Sequence, residues 1–155
     1  MNRTDDHCVF VTGGAGFIGS AVIRELLCST EGHVVNIDSL TYAGNLETLS
    51  DVAHHGRYDF SHTDIRDQET LRKLFVKYQP SAVMHLAAES HVDRSIDGPG
   101  AFLETNIMGT YTLLQAVREY FETLNSVRST DFRFHHVSTE DRKSTRLNSS
   151  HALIS

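Results

Sequence analysis

Cys8-Val9-Phe10-Val11-Thr12 leads directly into Gly13-Gly14-Ala15-Gly16-Phe17-Ile18-Gly19, an apolar run ending in a glycine turn that continues as an apolar pattern of helical period. Strand, glycine turn and helix in that order are the layout of a dinucleotide phosphate site. Gly13 and Gly14 permit a tight turn, Gly16 lets backbone approach a pyrophosphate, and Gly19 lets helix and strand pack closely. The helix start then offers N–H groups and a positive dipole end to an anion. The next apolar run, Val34-Val35-Asn36-Ile37, ends in Asp38, at about the 20-residue separation from the turn that a ribose-binding acid requires. A carboxylate there accepts from both hydroxyls of an adenosine ribose and repels a 2′-phosphate, so the pattern predicts NAD over NADP. An Asp capping a turn is the competing role for Asp38.

The bulk properties narrow the function classes. With 155 residues, 39% hydrophobic and 22% charged, the chain suffices for one globular domain. A net charge of −6 argues against a surface for nucleic acid. The polar start, Met1 to His7, has no apolar signal core, and no run approaches membrane-spanning length, so the sequence predicts a cytoplasmic protein without a membrane partner. Cys8 falls in the first strand and Cys28 late in the first helix, so both are expected as buried or half-buried thiols without a disulfide framework. The ten histidines include the adjacent pairs His54-His55 and His135-His136, which in a strand point to opposite faces, and no metal site is predicted.

Strand-like runs alternate with helical patterns along the chain, the signature of a parallel sheet with helices on both faces. In the first helix, Phe17, Ile18, Ala21, Val22, Leu26 and Leu27 are expected to face the sheet. Strand two is predicted at Val34 to Ile37, a loop at Thr41 to Asn45 and a short helix at Leu46 to Val52. Strand three is Tyr58 to His62, followed by a helix capped by Asp67 that carries Leu71, Leu74, Phe75 and Tyr78. Pro80 blocks that helix, and Ala82 to Leu86 forms strand four. The longest helical pattern has Phe102, Ile107, Tyr111, Leu114, Ala116, Val117 and Phe121 as an extensively buried face, and Phe132 to Val137 forms strand five.

The polar segments fall at the C-terminal ends of the strands, where open α/β sheets bind ligands. Asp64-Ile65 offers an adenine ring a polar edge and an apolar face, or else simply marks a helix entry. Leu86-Ala87-Ala88 supplies small residues where a cofactor passes the backbone, or ordinary close packing. Glu89 to Ser95 reads equally as a substrate-facing loop or a solvated one. Thr105-Asn106, neither a favoured helix former, faces a ligand or lies on a polar face.

Four segments together, Thr12 to Gly19, Asp38 to Asn45, His85 to Ser95 and Thr105 to Thr110, resemble the dTDP-glucose 4,6-dehydratase family of the extended short-chain dehydrogenase/reductase superfamily. The resemblance runs from residue 8 to about 139, and its second and third segments are far more specific than the glycine turn. It implies an NAD-dependent lyase that removes water across C5 and C6 of a nucleotide-linked glucose, dTDP-glucose, to give a 4-keto-6-deoxy sugar, acting as a homodimer when complete. In such enzymes a Tyr-x-x-x-Lys pair supports oxidation at C4, and an Asp-Glu pair after Ser-Thr eliminates water; that chemistry needs an acid and a base in distinct protonation states. By this match Gly13, Gly16, Phe17, Ile18, Gly19, Asp38, Ser39, Leu40, Thr41, Asp64, Ile65, Leu86, Ala87, Ala88, Glu89, Ser90 and Thr105 bind the cofactor, and Ser90 and Thr139 touch substrate.

The chain departs from the family at its end. Ser138-Thr139 is followed by Glu140-Asp141 where the family has Asp-Glu, so Thr139, Glu140 and Asp141 stand at the catalytic positions with the carboxylates exchanged. A shift of one methylene moves each carboxyl by about 1 Å, on the order of 10²-fold in rate. Asp141 to His151 also resembles the conceptual translation of a common sequencing adapter, whose first base turns the family Asp into Glu140. Residues 141–155 are therefore expected to be an artefactual disordered tail on a truncated NAD-binding domain, 1–140. No Tyr-x-x-x-Lys pair occurs, and the chain is expected to be inactive. The predicted architecture is an incomplete doubly wound parallel sheet of about five strands, Rossmann-like, without a substrate lobe. The alternatives are a fragment of a sugar-nucleotide epimerase or GDP-mannose-type dehydratase, or a non-catalytic dinucleotide-binding module.

Overall fold

The computed structural model describes residues 7–41, 44–89 and 99–138. Five parallel strands form one sheet in the order β3-β2-β1-β4-β5: β1 Cys8–Thr12, β2 His33–Asp38, β3 Tyr58–His62, β4 Ala82–His85 and β5 Arg133–His136. The chain winds outward from β1 through β2 to β3, then crosses back to lay β4 on the other side of β1. That reversal opens a crevice at the C-terminal ends of β1 and β4, the place where this topology receives ligands.

The near-continuous apolar reading of β1 and β2 follows from burial on both faces. Phe10, Val35, Ile37 and Val83 pack on one side with Leu71 and Phe75 of α2 (Gln68–Tyr78) and with Leu113, Ala116, Val117 and Tyr120 of α4 (Thr110–Glu122). Val11 and Val34 pack on the other with Ile23 and Leu27 of α1 (Phe17–Ser29) and with Leu49 of the 3-10 turn Leu46–Leu49. Phe75 ties the first layer together, its ring 5.1 Å from Phe10 and 5.0 Å from Tyr120.

Strand β1, strand β3 and the Asp67 cap stand where the sequence placed them; Asp67 accepts from the Thr70 N–H at 3.1 Å. Other expectations change. Phe17 is 93% exposed, Ile18 and Ala21 are also exposed, and α1 meets the sheet through Gly19, Ser20, Ile23 and Leu27. The register is set by Gly19, which must sit against the turn, so the apolar first turn is rotated outward. A similar rotation exposes Ile107, Tyr111, Leu114 and Phe121 and buries Leu113 and Tyr120 instead. The cause is a π segment, Glu104–Gly109, between α3 (Pro99–Leu103) and α4, whose extra residue per turn resets the helical phase. Cys8 is buried and its thiol pushed up to about 12 by burial and nearby Asp59, whereas Cys28 is exposed. A short helix absent from the prediction, α5 (Ser126–Asp131), starts at Asn125, whose side chain accepts from the Arg128 N–H.

At the opposite rim, two arginines hold helix ends. Arg57 donates to the carbonyls of Leu27, Thr30 and Gly32 behind α1, and Arg128 to the carbonyl and side-chain oxygens of Gln79, which closes α2 in a left-handed conformation. Among the described residues, no helix is long and apolar enough to cross a membrane.

Removing the ring that links sheet, α2 and α4 leaves a cavity in the larger core layer. Phe75→Ala is expected to cost about 3–5 kcal/mol, a large share of a domain's stability, and to appear in urea denaturation as a sharply lowered midpoint.

Candidate functional site

The glycine turn is closed by backbone bonds. Gly13 N–H donates to Ile37 at the end of β2, and Gly16 N–H donates back to Gly13. Gly13 has φ +71°, and a Cβ there would come 2.7 Å from the Ala87 backbone, so both conformation and the nearness of β4 demand glycine. A Cβ on Gly19 would strike the Gly13 carbonyl, which fixes the close packing of helix on turn. Helix α1 then begins at Gly16 without a side-chain cap and without an acidic residue in its first turn. Its leading N–H groups and dipole are left for an anion from outside.

Asp38 occupies the tip of β2, largely buried. One carboxylate oxygen accepts from Ala15 N–H at 2.9 Å and the other from Leu40 N–H at 2.8 Å. It thus caps a turn, as the competing role required, and each oxygen retains a second lone pair for a hydroxyl donor. Leu40 pays in conformation, with φ +49° in the left-handed region. Ser39 and Leu40 are half-buried and Thr41 exposed along this rim, and Asn45 N–H donates to Ala15, docking the loop on the glycine turn. Beyond β3, half-buried Asp64 stands beside buried Ile65.

On the β4 side, Leu86 and Ala87 are half-buried, Ala88 exposed and Glu89 half-buried. Asn106 has a role that neither alternative for it named: its amide accepts from Glu89 N–H at 2.8 Å and donates to Glu89 C=O at 2.9 Å, clamping the strand end as a neighbouring strand would. The π segment brings Asn106 to that position and leaves Thr105 half-buried beside it. Ser90, Thr139, Glu140 and Asp141 lie outside the described residues, as do Tyr42-Ala43 and residues 91–98.

Two site residues escaped the sequence reading. His85, 1% exposed, bridges Thr12 Oγ1 at 2.7 Å and Thr110 Oγ1 at 3.0 Å, while Thr12 Oγ1 also receives Ala87 N–H at 3.3 Å. Strand β1, the β4 end and the long helix are thereby joined beneath the crevice. Burial, with a contribution from His136, pushes its pKa down to about 4. Asn36, directly under Gly14, donates to Tyr58 OH at 3.1 Å while its Oδ1 is buried without a partner. A polar residue inside an apolar strand run was the available signal in both cases.

The chain was compared with known proteins. It matches the family described as GDP-mannose 4,6 dehydratase over residues 10–142. The chain belongs to this family. Among curated relatives, dTDP-glucose 4,6-dehydratase of Salmonella typhimurium and dTDP-glucose 4,6-dehydratase 1 of Escherichia coli K12 are each 59% identical over 133 residues, 86% of this chain. This family member spans 37% of the length of those relatives. A dTDP-glucose 4,6-dehydratase from Bacillus anthracis, solved in complex with NAD, superposes with TM-score 0.71 at 33% identity, covering 86% of this chain and 37% of that one. A UDP-glucose 4-epimerase from Thermotoga maritima, solved with UDP-glucose, gives TM-score 0.65 at 34% identity, covering 73% and 34%.

The depressed His85 pKa links stability to pH with a definite sign. Its folded value, about 4, lies below the ordinary 6.5, so the folded state binds fewer protons and its stability is complete only above pH 6.5. Acidification to pH 5 is expected to remove about 2 kcal/mol through this group. Urea titrations at pH 7.5 and 5 measure it, with His85→Gln showing a correspondingly smaller loss.

Proposed function

We propose that the chain is the NAD-binding part of a dTDP-glucose 4,6-dehydratase. The observation that carries the cofactor reading is the rim geometry: an uncapped helix start over a turn that requires glycine at Gly13, beside a carboxylate at the tip of β2. The 59% identity to dTDP-glucose 4,6-dehydratases supports the sugar nucleotide, and solved relatives of 33% and 47% identity carry NAD. When bound, NAD supplies the hydride acceptor that oxidises the sugar and later returns the hydride.

The chain's own residues hold and orient. Backbone N–H groups from Phe17 to Gly19 meet the pyrophosphate, Gly16 lets it approach the backbone, and Gly13 keeps the end of β4 close enough to complete the cradle. Asp38 receives the ribose hydroxyls, with Ser39, Leu40 and Thr41 along the same edge. Exposed Phe17 and Ile18 cover the cofactor, which explains why two large apolar side chains open a helix facing outward. Asp64, Ile65 and Thr105 flank the adenine. Leu86, Ala87, Ala88 and Glu89 run beneath the nicotinamide half, held by Asn106. Ser90 and Thr139 meet substrate; Glu140 and Asp141 stand where the family has its Asp-Glu acid and base, with Asp141 read below as translated adapter. The complete enzyme works in the cytoplasm as a homodimer, and the exposed Tyr111, Leu114 and Phe121 of α4 favour pairing. Without a Tyr-x-x-x-Lys pair, the 155 residues hold cofactor and do not turn over dTDP-glucose.

Calorimetric titration is expected to show NAD binding with about tenfold or greater preference over NADP, since a 2′-phosphate meets the Asp38 charge. Asp38→Asn is expected to shrink that preference. Equal affinities in the unmodified chain exclude this role for Asp38, and failure to bind NAD excludes the cofactor reading.

Residues 141–155 read as translated adapter because Asp141 to His151 matches that translation; the family match runs two residues into this segment, to Arg142. Genomic sequence across codons 138–160 is expected to continue Asp-Glu in place of Glu140-Asp141, with a Tyr-x-x-x-Lys pair downstream. A genomic stop after Ser155 rules this out.

A further inference from the structure

The loop after β3 is fastened to the long helix at two points. Ile65 is buried against Gly109, where a Cβ would come 2.7 Å from its Cδ1. One residue on, Arg66 donates through Nη1 to Glu104 at 2.7 Å, at the start of the π segment. The same guanidinium grips Asp64: Nη2 reaches Oδ2 at 2.7 Å, and Nε lies 3.1 Å from both carboxylate oxygens. Arg66 N–H also donates to Asp64 Oδ1 at 2.9 Å. Hydrogen bonds from Arg66 hold the Asp64 carboxyl below the usual carboxylate range, so it is an acceptor at neutral pH.

Acceptor capacity then becomes informative. A carboxylate has roughly four lone-pair sites. Three Arg66 N–H groups, one of them shared equally between Oδ1 and Oδ2, fill about three of these sites and leave about one acceptor position on the carboxylate. Such an edge suits a single N–H donor. The fork geometry fixes its direction, and Glu104 fixes the fork.

We propose that Arg66, anchored on Glu104, is a positioning residue that aims the remaining acceptor of Asp64 at the exocyclic amine of a 6-aminopurine. The inference rests on the dinucleotide reading above, in which Asp64 flanks the adenine, and adds to it the residue that positions Asp64. Arg66 acts through Asp64. Its loss frees the carboxylate to rotate and to hydrate, while leaving pyrophosphate and ribose contacts intact.

The test is calorimetry of the full 155-residue chain with NAD and with nicotinamide hypoxanthine dinucleotide, which carries an oxo group in place of the amine. The unmodified chain is expected to prefer NAD, and Arg66→Ala to reduce the preference about tenfold. Glu104→Gln is expected to reduce it less, and the double variant to match Arg66→Ala because both act on one path. Arg66→Lys recovers only part, since an ammonium cannot form the fork. A purely structural role for Arg66 lowers both affinities together and leaves their ratio unchanged, which overturns the proposal. So does an unmodified chain that binds both dinucleotides equally. NAD binding that survives with an unaltered ratio in Arg66→Ala removes this inference alone; no NAD binding by the unmodified chain removes the cofactor reading and this inference with it.

Discussion

The close approach of the first turn to the end of β4 is the constraint on which the rest depends. Gly13 and Ala87 come together so tightly that a single methyl group on the turn would separate them. That approach places the crevice between β1 and β4, sets the angle at which α1 leaves, and forces Gly19 onto the Gly13 carbonyl. Thr12, receiving Ala87 N–H and bonded to His85, holds the same junction from below. His85 carries the connection on to Thr110 and the long helix. A displacement in any of these is felt by the turn, since packed interiors transmit strain instead of absorbing it.

The second organising feature is the π segment of the long helix. One widened stretch sends Asn106 across to the Glu89 backbone, Glu104 to Arg66, and Gly109 beneath Ile65. A regular α-helix repeats every 3.6 residues and does not place these contacts on the neighbouring strand ends together with Leu113, Ala116 and Tyr120 in the core. The segment trades helical regularity for simultaneous contact with both sides of the rim.

Much of this was legible in the chain. Strands β1 and β3, the Asp67 cap and the alternation of strand and helix follow from periodicity and capping chemistry that act locally. What sequence periodicity misplaced were the helix faces: Phe17 and Ile18 on α1, Ile107, Tyr111, Leu114 and Phe121 on the long helix. Both are errors of helical phase, set by the contact of Gly19 with the turn in one case and by the π segment within the helix in the other. A regular 3.6-residue repeat reports neither. Cys28 followed the same error, lying on the outer side of α1. For His85 and Asn36 the obstacle differed. Each was visible as a polar residue in an apolar strand, yet its partners, Thr12 and Thr110 for one and Tyr58 for the other, are remote in sequence.

The arginine caps at the far rim bear on where an anion can settle. Arg57 and Arg128 spend their N–H groups largely on carbonyl oxygens at the ends of α1 and α2, where they offset the negative poles of those helices. At the near rim the opposite pole of α1 stays unneutralised, uncapped by any side chain, whereas that of α2 is capped by Asp67. An anion approaching this chain of net charge −6 thus meets arginines already engaged at one end of the sheet and the unquenched backbone of α1 at the other. The side chains that look most suited to binding phosphate have the work of hiding the wrong address.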